Sequence, residues 1–152
     1  MILNRGYFTD LSKTVQTKLI TIICDGNYHE IDQRLAISIK NNEYIFYLED
    51  NGRIIGCLKL NLDVFPICKI LDFIIVPEYR GKGVGTELLQ KTLDSSINDH
   101  KINTLHLYLM VRTEPKKENT PAIHLYQKFG FKMTHLKVEY TDGQNTIMLK
   151  NN

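Results

Sequence analysis

Six consecutive residues carry the chemistry most visible in this chain: Arg80-Gly81-Lys82-Gly83-Val84-Gly85. Glycine lets a backbone take positive φ and come close to a ligand. A helical pattern begins at Gly85, with Leu88, Leu89, Leu93 and Ile97 on one face and Glu87, Gln90, Lys91 and Asp94 on the other. The loop therefore opens a helix, and the first N–H groups of a helix have no intrahelical acceptor and attract anions. Arg80 and Lys82 add positive charge, so the expected ligand is a phosphate or pyrophosphate. A Walker loop would need Ser or Thr after Gly81-Lys82, where Gly83 stands. A dinucleotide fingerprint would need Gly-x-Gly-x-x-Gly, and the third glycine comes one residue too early. The pattern present is Arg-x-x-Gly-x-Gly, on Arg80, Gly83 and Gly85.

Asp72 is the second chemical signal. It is the one charged residue in the apolar run Ile70 to Val76, and a buried carboxylate needs either partners or a task. It is a candidate base or relay to water, and equally a carboxylate that bonds a neighbour at a bulge. The three cysteines, Cys24, Cys57 and Cys68, form no Cys-x-x-Cys pair and read as small hydrophobes rather than nucleophiles. The five histidines show no metal-ligand spacing, so no metal is expected. His106 is a candidate for lining an acceptor pocket.

These groups need a scaffold. Ile70 to Val76 reads as a buried strand stopped by Pro77, which has no N–H for a ladder. Before it, Met1 to Tyr7 reads as a weak strand. Leu11, Val15, Leu19, Ile22 and Ile23 form a helical stripe, capped by Thr9 or Asp10. A shorter helix runs from His29 to Ile39. Tyr44 to Leu48 and Ile54 to Leu62 form a hairpin around Asn51-Gly52. In the second of these strands Leu58, Leu60 and Leu62 face inward, and Lys59, Asn61 and Asp63 face outward. After the glycine loop and its helix come a strand from Thr104 to Val111 and a polar loop, Arg112 to Glu118. A helix follows from about Pro121 to Phe129, with Thr120 as N-cap and Gly130 ending it. Two last strands flank Asp142-Gly143. The order is (β)ααβββαβαββ in one domain over residues 1–152. The fold class is α/β (α+β): a mixed, mostly antiparallel sheet of six to seven strands flanked by four helices.

Composition narrows the function. The net charge of +2, from 19 basic and 17 acidic residues, is too small to argue for nucleic acid or a membrane surface. No apolar run reaches the roughly 18 residues of a membrane span, and Met1 to Gly26 lacks the pattern of a signal peptide. A cytoplasmic protein is expected.

The stretch Val-Pro-Glu-Tyr-Arg-Gly-Lys-Gly-Val-Gly, residues 76–85, resembles the acyl-CoA signature of the GNAT superfamily of N-acetyltransferases. A second stretch matches the family's other signature in the right order: Asn119-x-x-Ala122, then Leu125-Tyr126, then Gly130-Phe131. The resemblance is specific from about Ile54 to Phe131 and rests on element order alone before Tyr44. It implies transfer of an acetyl group from acetyl-CoA to an amine, small or on a protein, by direct attack and without a metal. The fourth strand would splay from the fifth, and pantetheine would lie along Ile74, Ile75 and Val76, where one backbone N–H would polarise the thioester. The pyrophosphate would rest on Lys82, Gly83, Val84, Gly85 and Thr86, with Arg80 and Gly81 beside it. Asn119 would meet the pantetheine arm or simply start its helix. Tyr126 would be the acid that returns a proton to the leaving thiolate, although spacing alone reads it as a packed aromatic. Asp72 would be the base. Lys116 and Lys117 are candidates for the CoA 3′-phosphate.

Two other readings stay open: a non-catalytic module that binds acyl-CoA as a sensor, and a phosphate-binding protein unrelated to CoA. The seven-residue loop Arg112 to Glu118 is longer than the compact form of the motif, so the acceptor amine is not fixed by the resemblance. Tyr28, His29, Glu30 and Asp32 form a cluster fit to meet a cation. The final strands are candidates for pairing in a homodimer.

Overall fold

The computed structural model describes residues 1–64, 67–99, 106–112, 119–140 and 143–151. Seven strands form one sheet: β1 (Ile2–Tyr7), β2 (Tyr44–Asp50), β3 (Arg53–Val64), β4 (Ile67–Ile75), β5 (His106–Arg112), β6 (Lys132–Tyr140) and β7 (Gly143–Asn151). Their order across the sheet is β1-β2-β3-β4-β5-β7-β6. Every neighbouring pair is antiparallel except β4 and β5, which are parallel. Four helices accompany it: α1 (Lys13–Cys24), α2 (Ile31–Asn41), α3 (Val84–Asp99) and α4 (Thr120–Lys128). The expected class and element order hold.

The helices cover both faces. On one side α3 and α4 bury Leu88, Leu89, Leu93 and Ile123 against Phe46, Leu48, Ile55, Leu58 and Leu60. On the other, α1 buries Leu19, Ile20 and Ile23 against Ile45, Tyr47, Ile54 and Cys57, with Leu35 of α2 packed alongside. Alternate residues of β2 feed the two cores, as a pleated strand requires. This corrects one expectation. Lys59 does not face solvent; it is 3% exposed. The leucine alternation does put it on the face opposite Leu58 and Leu60, but that face is roofed by helices.

Helix ends differ in detail from the sequence reading. Ser12, not Thr9 or Asp10, caps α1, its hydroxyl accepting from the Val15 N–H at 3.2 Å. Asn119, not Thr120, caps α4, its side-chain oxygen accepting from the Ala122 N–H at 3.3 Å. In both cases the residue just before the first helical turn has the extended or bridging backbone that a cap needs. Thr120 lies already inside the helix.

Two irregularities of β4 interrupt the sheet. Leu58 pairs with Phe73 and Leu60 with Ile70, so the single residue Lys59 stands opposite both Leu71 and Asp72. That is a β-bulge, and it shifts the strand's alternation by one. Cys68 and Ile70 are buried in the α3–α4 core before the bulge, and Phe73 and Ile75 pack against the same core after it. The second irregularity is divergence. Among the described residues β4 pairs with β5 only at Ile67, Cys68 and Lys69.

Gly56 of β3 lets β4 lie close at this point. A Cβ there would fall 2.6 Å from Ile75 Cδ1 and 3.1 Å from the Ile74 carbonyl oxygen. Overpacking of this kind costs about 1–3 kcal/mol. Gly56→Ala is therefore expected to lower the thermal midpoint by several degrees, measured by differential scanning calorimetry. An unchanged midpoint would mean that Ile75 swings aside freely.

Candidate active site

The divergence of β4 from β5 opens a cleft of about 400 Å³ on the α3–α4 side of the sheet. Phe73 and Ile75 form its floor. Pro121, Ala122, Leu125 and Tyr126 of α4 form one wall, and Tyr79 to Gly81 with Gly85 close one end. The lining is mostly apolar, with Asn119 at the rim.

The backbone of β4 supplies the cleft's polar groups. The Val76 N–H donates to the Ile55 carbonyl at 3.0 Å. Gly56 faces Ile75 and Cys57 faces Ile74, so by the alternation of an antiparallel ladder the amides of Ile74 and Val76 turn toward β3. Those of Phe73 and Ile75 turn the other way, into the gap that β5 leaves. Of the three residues expected along pantetheine, only Ile75 thus presents its N–H to the cleft. Phe73, which the sequence reading passed over, presents the other. The bulge was the missing signal, and nothing in the residue types announces it.

At the end of the cleft the chain turns through Gly81 and Gly83, at φ 72° and 79°. A Cβ at either position would meet open space, so the glycines serve the backbone angle and not a tight contact. The Gly83 carbonyl accepts from the Glu87 N–H at 3.1 Å as the first bond of α3. The amides of Val84, Gly85 and Thr86 then have no acceptor within the helix. Gly85 acts differently. A Cβ there would lie 3.6 Å from Phe73 Cζ, 3.7 Å from Ile75 Cγ1 and 3.9 Å from Leu125 Cδ2, so a side chain there would project into the cleft. Bare backbone, free amides and cationic neighbours give this end of the cleft the chemistry to take an anion, and it continues into an apolar groove with the chemistry to take a long, weakly polar arm.

Arg80 lines that same end of the cleft and is held there by two groups of the fold. Its Nε donates to the Ile75 carbonyl at 2.7 Å, and its Nη2 lies 3.4 Å from Asp25 Oδ2. It caps the exposed carbonyl of β4 and ties it to the turn after α1. Lys82 lies over the Tyr79 ring at 5.6 Å, and Tyr79 donates its hydroxyl to Asp50 at 2.9 Å.

Tyr126 is 8% exposed and sits between Phe73, 6.2 Å away by ring centroid, and Phe131, at 5.6 Å. Burial pushes its phenol up to about 12, because a phenolate is poorly solvated there. At neutral pH it is a proton donor. Burial also raises the thiols, Cys57 to about 12 and Cys68 to about 11. Neither thiol carries appreciable thiolate near neutrality, so the view of them as small hydrophobes stands.

Asp72 lies on the other face of β4. Its Oδ2 meets Lys59 Nζ at 3.0 Å and its Oδ1 meets Arg34 Nη1 at 3.7 Å. It has partners and is 24% exposed on its side chain. Tyr28, His29 and Glu30 form a single turn ahead of α2. Lys116 and Lys117 lie outside the described residues, as does the side chain of His106. Among the described residues no group of three His, Cys, Asp or Glu is placed to hold a metal, and no helix is long and apolar enough to cross a membrane.

Comparison with known proteins identifies the family and the fold. Residues 13–131 match the model of the acetyltransferase (GNAT) family. An N-alpha-acetyltransferase of Saccharolobus solfataricus is 37% identical over 81 residues, which are 53% of this chain and 45% of that protein. The spermidine N(1)-acetyltransferase of Escherichia coli K12 is 35% identical over 92 residues, 59% of this chain and 46% of that one. The chain thus spans about half the length of these two curated relatives. The crystal structure of an aminoglycoside 6′-N-acetyltransferase complexed with coenzyme A superposes with a TM-score of 0.72, covering 99% of this chain and 97% of that one at 12% identity. The chain belongs to the acetyltransferase (GNAT) family.

Proposed function

We propose that the protein is an N-acetyltransferase that moves an acetyl group from acetyl-CoA to an amine. The observation that carries this is the continuity of the anion seat at Gly83 to Thr86 with the apolar cleft that ends at Tyr126. The amides of Val84, Gly85 and Thr86 hold the pyrophosphate, with Lys82 and Gly81 alongside. The pantetheine arm runs over Phe73, Ile75, Ala122 and Leu125, with Asn119 at its side. The Phe73 or Ile75 N–H polarises the thioester carbonyl, as an oxyanion hole does. Ile74 and Val76 contribute by fixing that strand edge against β3.

The acceptor is mostly an ammonium ion at neutral pH, since an alkyl amine has a pKa of about 10. It must lose a proton before its nitrogen bonds to the acetyl carbon. As the C–S bond breaks, the departing thiolate takes a proton. Tyr126, held neutral by burial, is the donor. Asp72, across β4, takes the proton of the amine, directly or through water, so acceptor and donor approach from opposite faces of the sheet. That the relatives are an N-alpha-acetyltransferase and a spermidine N(1)-acetyltransferase supports a primary amine as the acceptor class. Three buried free cysteines support a reducing, cytoplasmic setting.

Isothermal titration with acetyl-CoA tests the seat. Wild type is expected to bind, and ATP is expected not to replace acetyl-CoA. Gly83→Ala, forced into a left-handed angle costing about 1 kcal/mol, is expected to weaken binding while the protein stays folded. No binding by wild type would remove the proposal.

Tyr126→Phe is expected to lower kcat about 10²-fold with acetyl-CoA affinity unchanged, measured by thiol release. A wild type that binds acetyl-CoA yet acetylates no amine in a broad panel would favour the sensor instead.

The phenol gives a third test. Its native pKa, about 12, lies above the unfolded value of about 10, so the native state prefers the neutral form by about 2–3 kcal/mol. That stability is fully present below about pH 10 and is lost as pH rises through about 12. Spectrophotometric titration should show one tyrosine ionising late in wild type and missing in Tyr126→Phe.

A further inference from the structure

Lys59 is a buried lysine with no part in the donor cleft. Its Nζ is 3.0 Å from Asp72 Oδ2, 3.2 Å from Glu43 Oε2 and 3.4 Å from Ser38 Oγ. An ammonium has three protons, and three oxygen-bearing side chains surround this one. Its side chain is 4% exposed and that of Glu43 6%. Asp72, at 24%, is the only one of the two carboxylates that reaches the surface of the α1–α2 face. Arg34 of α2 is its second cation.

The position of this lysine in the sheet is specific. It is the one residue of β3 that stands opposite the bulge at Leu71 and Asp72. A bulged residue leaves the ladder's regular hydrogen bonding and has more freedom of direction. A side chain whose task depends on its aim needs another constraint there. Stability is a weak reason for the arrangement, because apolar residues of similar volume often replace a buried ion pair at no loss or with a gain.

We propose that Lys59 is a positioning residue: with Glu43 and Ser38 behind it, its ammonium holds the bulged Asp72 aimed at the acceptor amine. Glu43 balances the lysine charge, so that Asp72 is oriented without being the ammonium's only counterion. The acceptor side of the site thus reaches from Asp72 on β4 through Lys59 on β3 to Glu43, just before β2. This rests on the reading of Asp72 as the base of an acetyltransferase.

The test is a double-mutant cycle read by thiol release, with acetyl-CoA and whichever of spermidine or an N-terminally free peptide proves the better acceptor. Lys59→Met with Glu43→Gln removes the ammonium and its balancing charge together, leaving the Arg34–Asp72 pair. This variant is expected to keep or raise the thermal midpoint and to bind acetyl-CoA as wild type does. It is expected to lose about tenfold or more in kcat, the scale of a misplaced catalytic group. Adding Asp72→Asn to it should cost little more, although Asp72→Asn alone slows wild type strongly. Such non-additivity marks groups that act as one. The cycle is repeated with Lys59→Gln, whose amide keeps an N–H donor in the buried space, so that poor folding of the first variant leaves the coupling measurable. If Asp72→Asn slows the enzyme while the lysine variants keep full kcat, or if the losses simply add, the positioning role is overturned and the acetyltransferase reading survives. If Asp72→Asn itself changes nothing, the base assignment falls and this inference with it.

Discussion

The site depends on an interruption of the sheet. One extra residue in β4, at Leu71–Asp72, shifts the strand's alternation, and beyond Lys69 the strand has no described pairing with β5. A continuous sheet would have used the amides of Phe73 and Ile75 in a ladder and left no opening. The interruption frees those amides, turns Phe73 and Ile75 toward Tyr126, and sends Asp72 to the opposite face. Unpaired backbone groups inside a fold are unfavourable unless something else satisfies them. The Ile75 carbonyl finds Arg80, and the freed amides are what a ligand can use.

The two faces of β4 then differ in kind. On the α3–α4 side the walls are mostly aromatic and aliphatic, Tyr126 among them is a phenol that burial keeps neutral, and the cation Arg80 stands at one end. On the α1–α2 side, Asp72 joins Lys59, Glu43 and Arg34 in a cluster of two cations and two anions. A thioester arm needs little charge around it. An ammonium that must shed a proton needs a carboxylate near its path. A single strand separates the two environments, so the apolar cleft does not bear the desolvation of the ion cluster.

How much of this was legible in the sequence depends on how local each cause is. The turn at Gly81 and Gly83 was legible because positive φ is a property of a few residues. So was the burial of Leu88 and Leu89, since helical spacing writes it directly. The bulge was not legible, because it lies in the pairing of two strands and neither carries a residue that demands it. Lys59 was misjudged for a related reason. A period of two tells which residues share a face, and it cannot tell whether the other face meets water or a second layer of helices. Asp72 stood out by type, but its partners Arg34 and Lys59 come from α2 and β3, separations that no local pattern spans. The caps slipped by one to three residues, because Ser12 and Asn119 compete with equally suitable neighbours and only the backbone angle decides.

Arg80 shows how the parts are joined. Read as a charge beside a phosphate, it would be one cation among several. In the fold its Nε holds the carbonyl at the end of β4, and its Nη2 reaches Asp25, which terminates α1 in a left-handed conformation at φ 43°. The guanidinium is planar, and its donors cannot be re-aimed independently. A shift of the glycine loop that carries Arg80 must therefore move, or break, its bonds to both. The glycine loop, the exposed edge of β4 and the turn that leads to α2 thus share one side chain. Geometry at the loop and geometry at the edge of β4 are set together, and this is why a short motif can fix an arrangement that extends across the sheet.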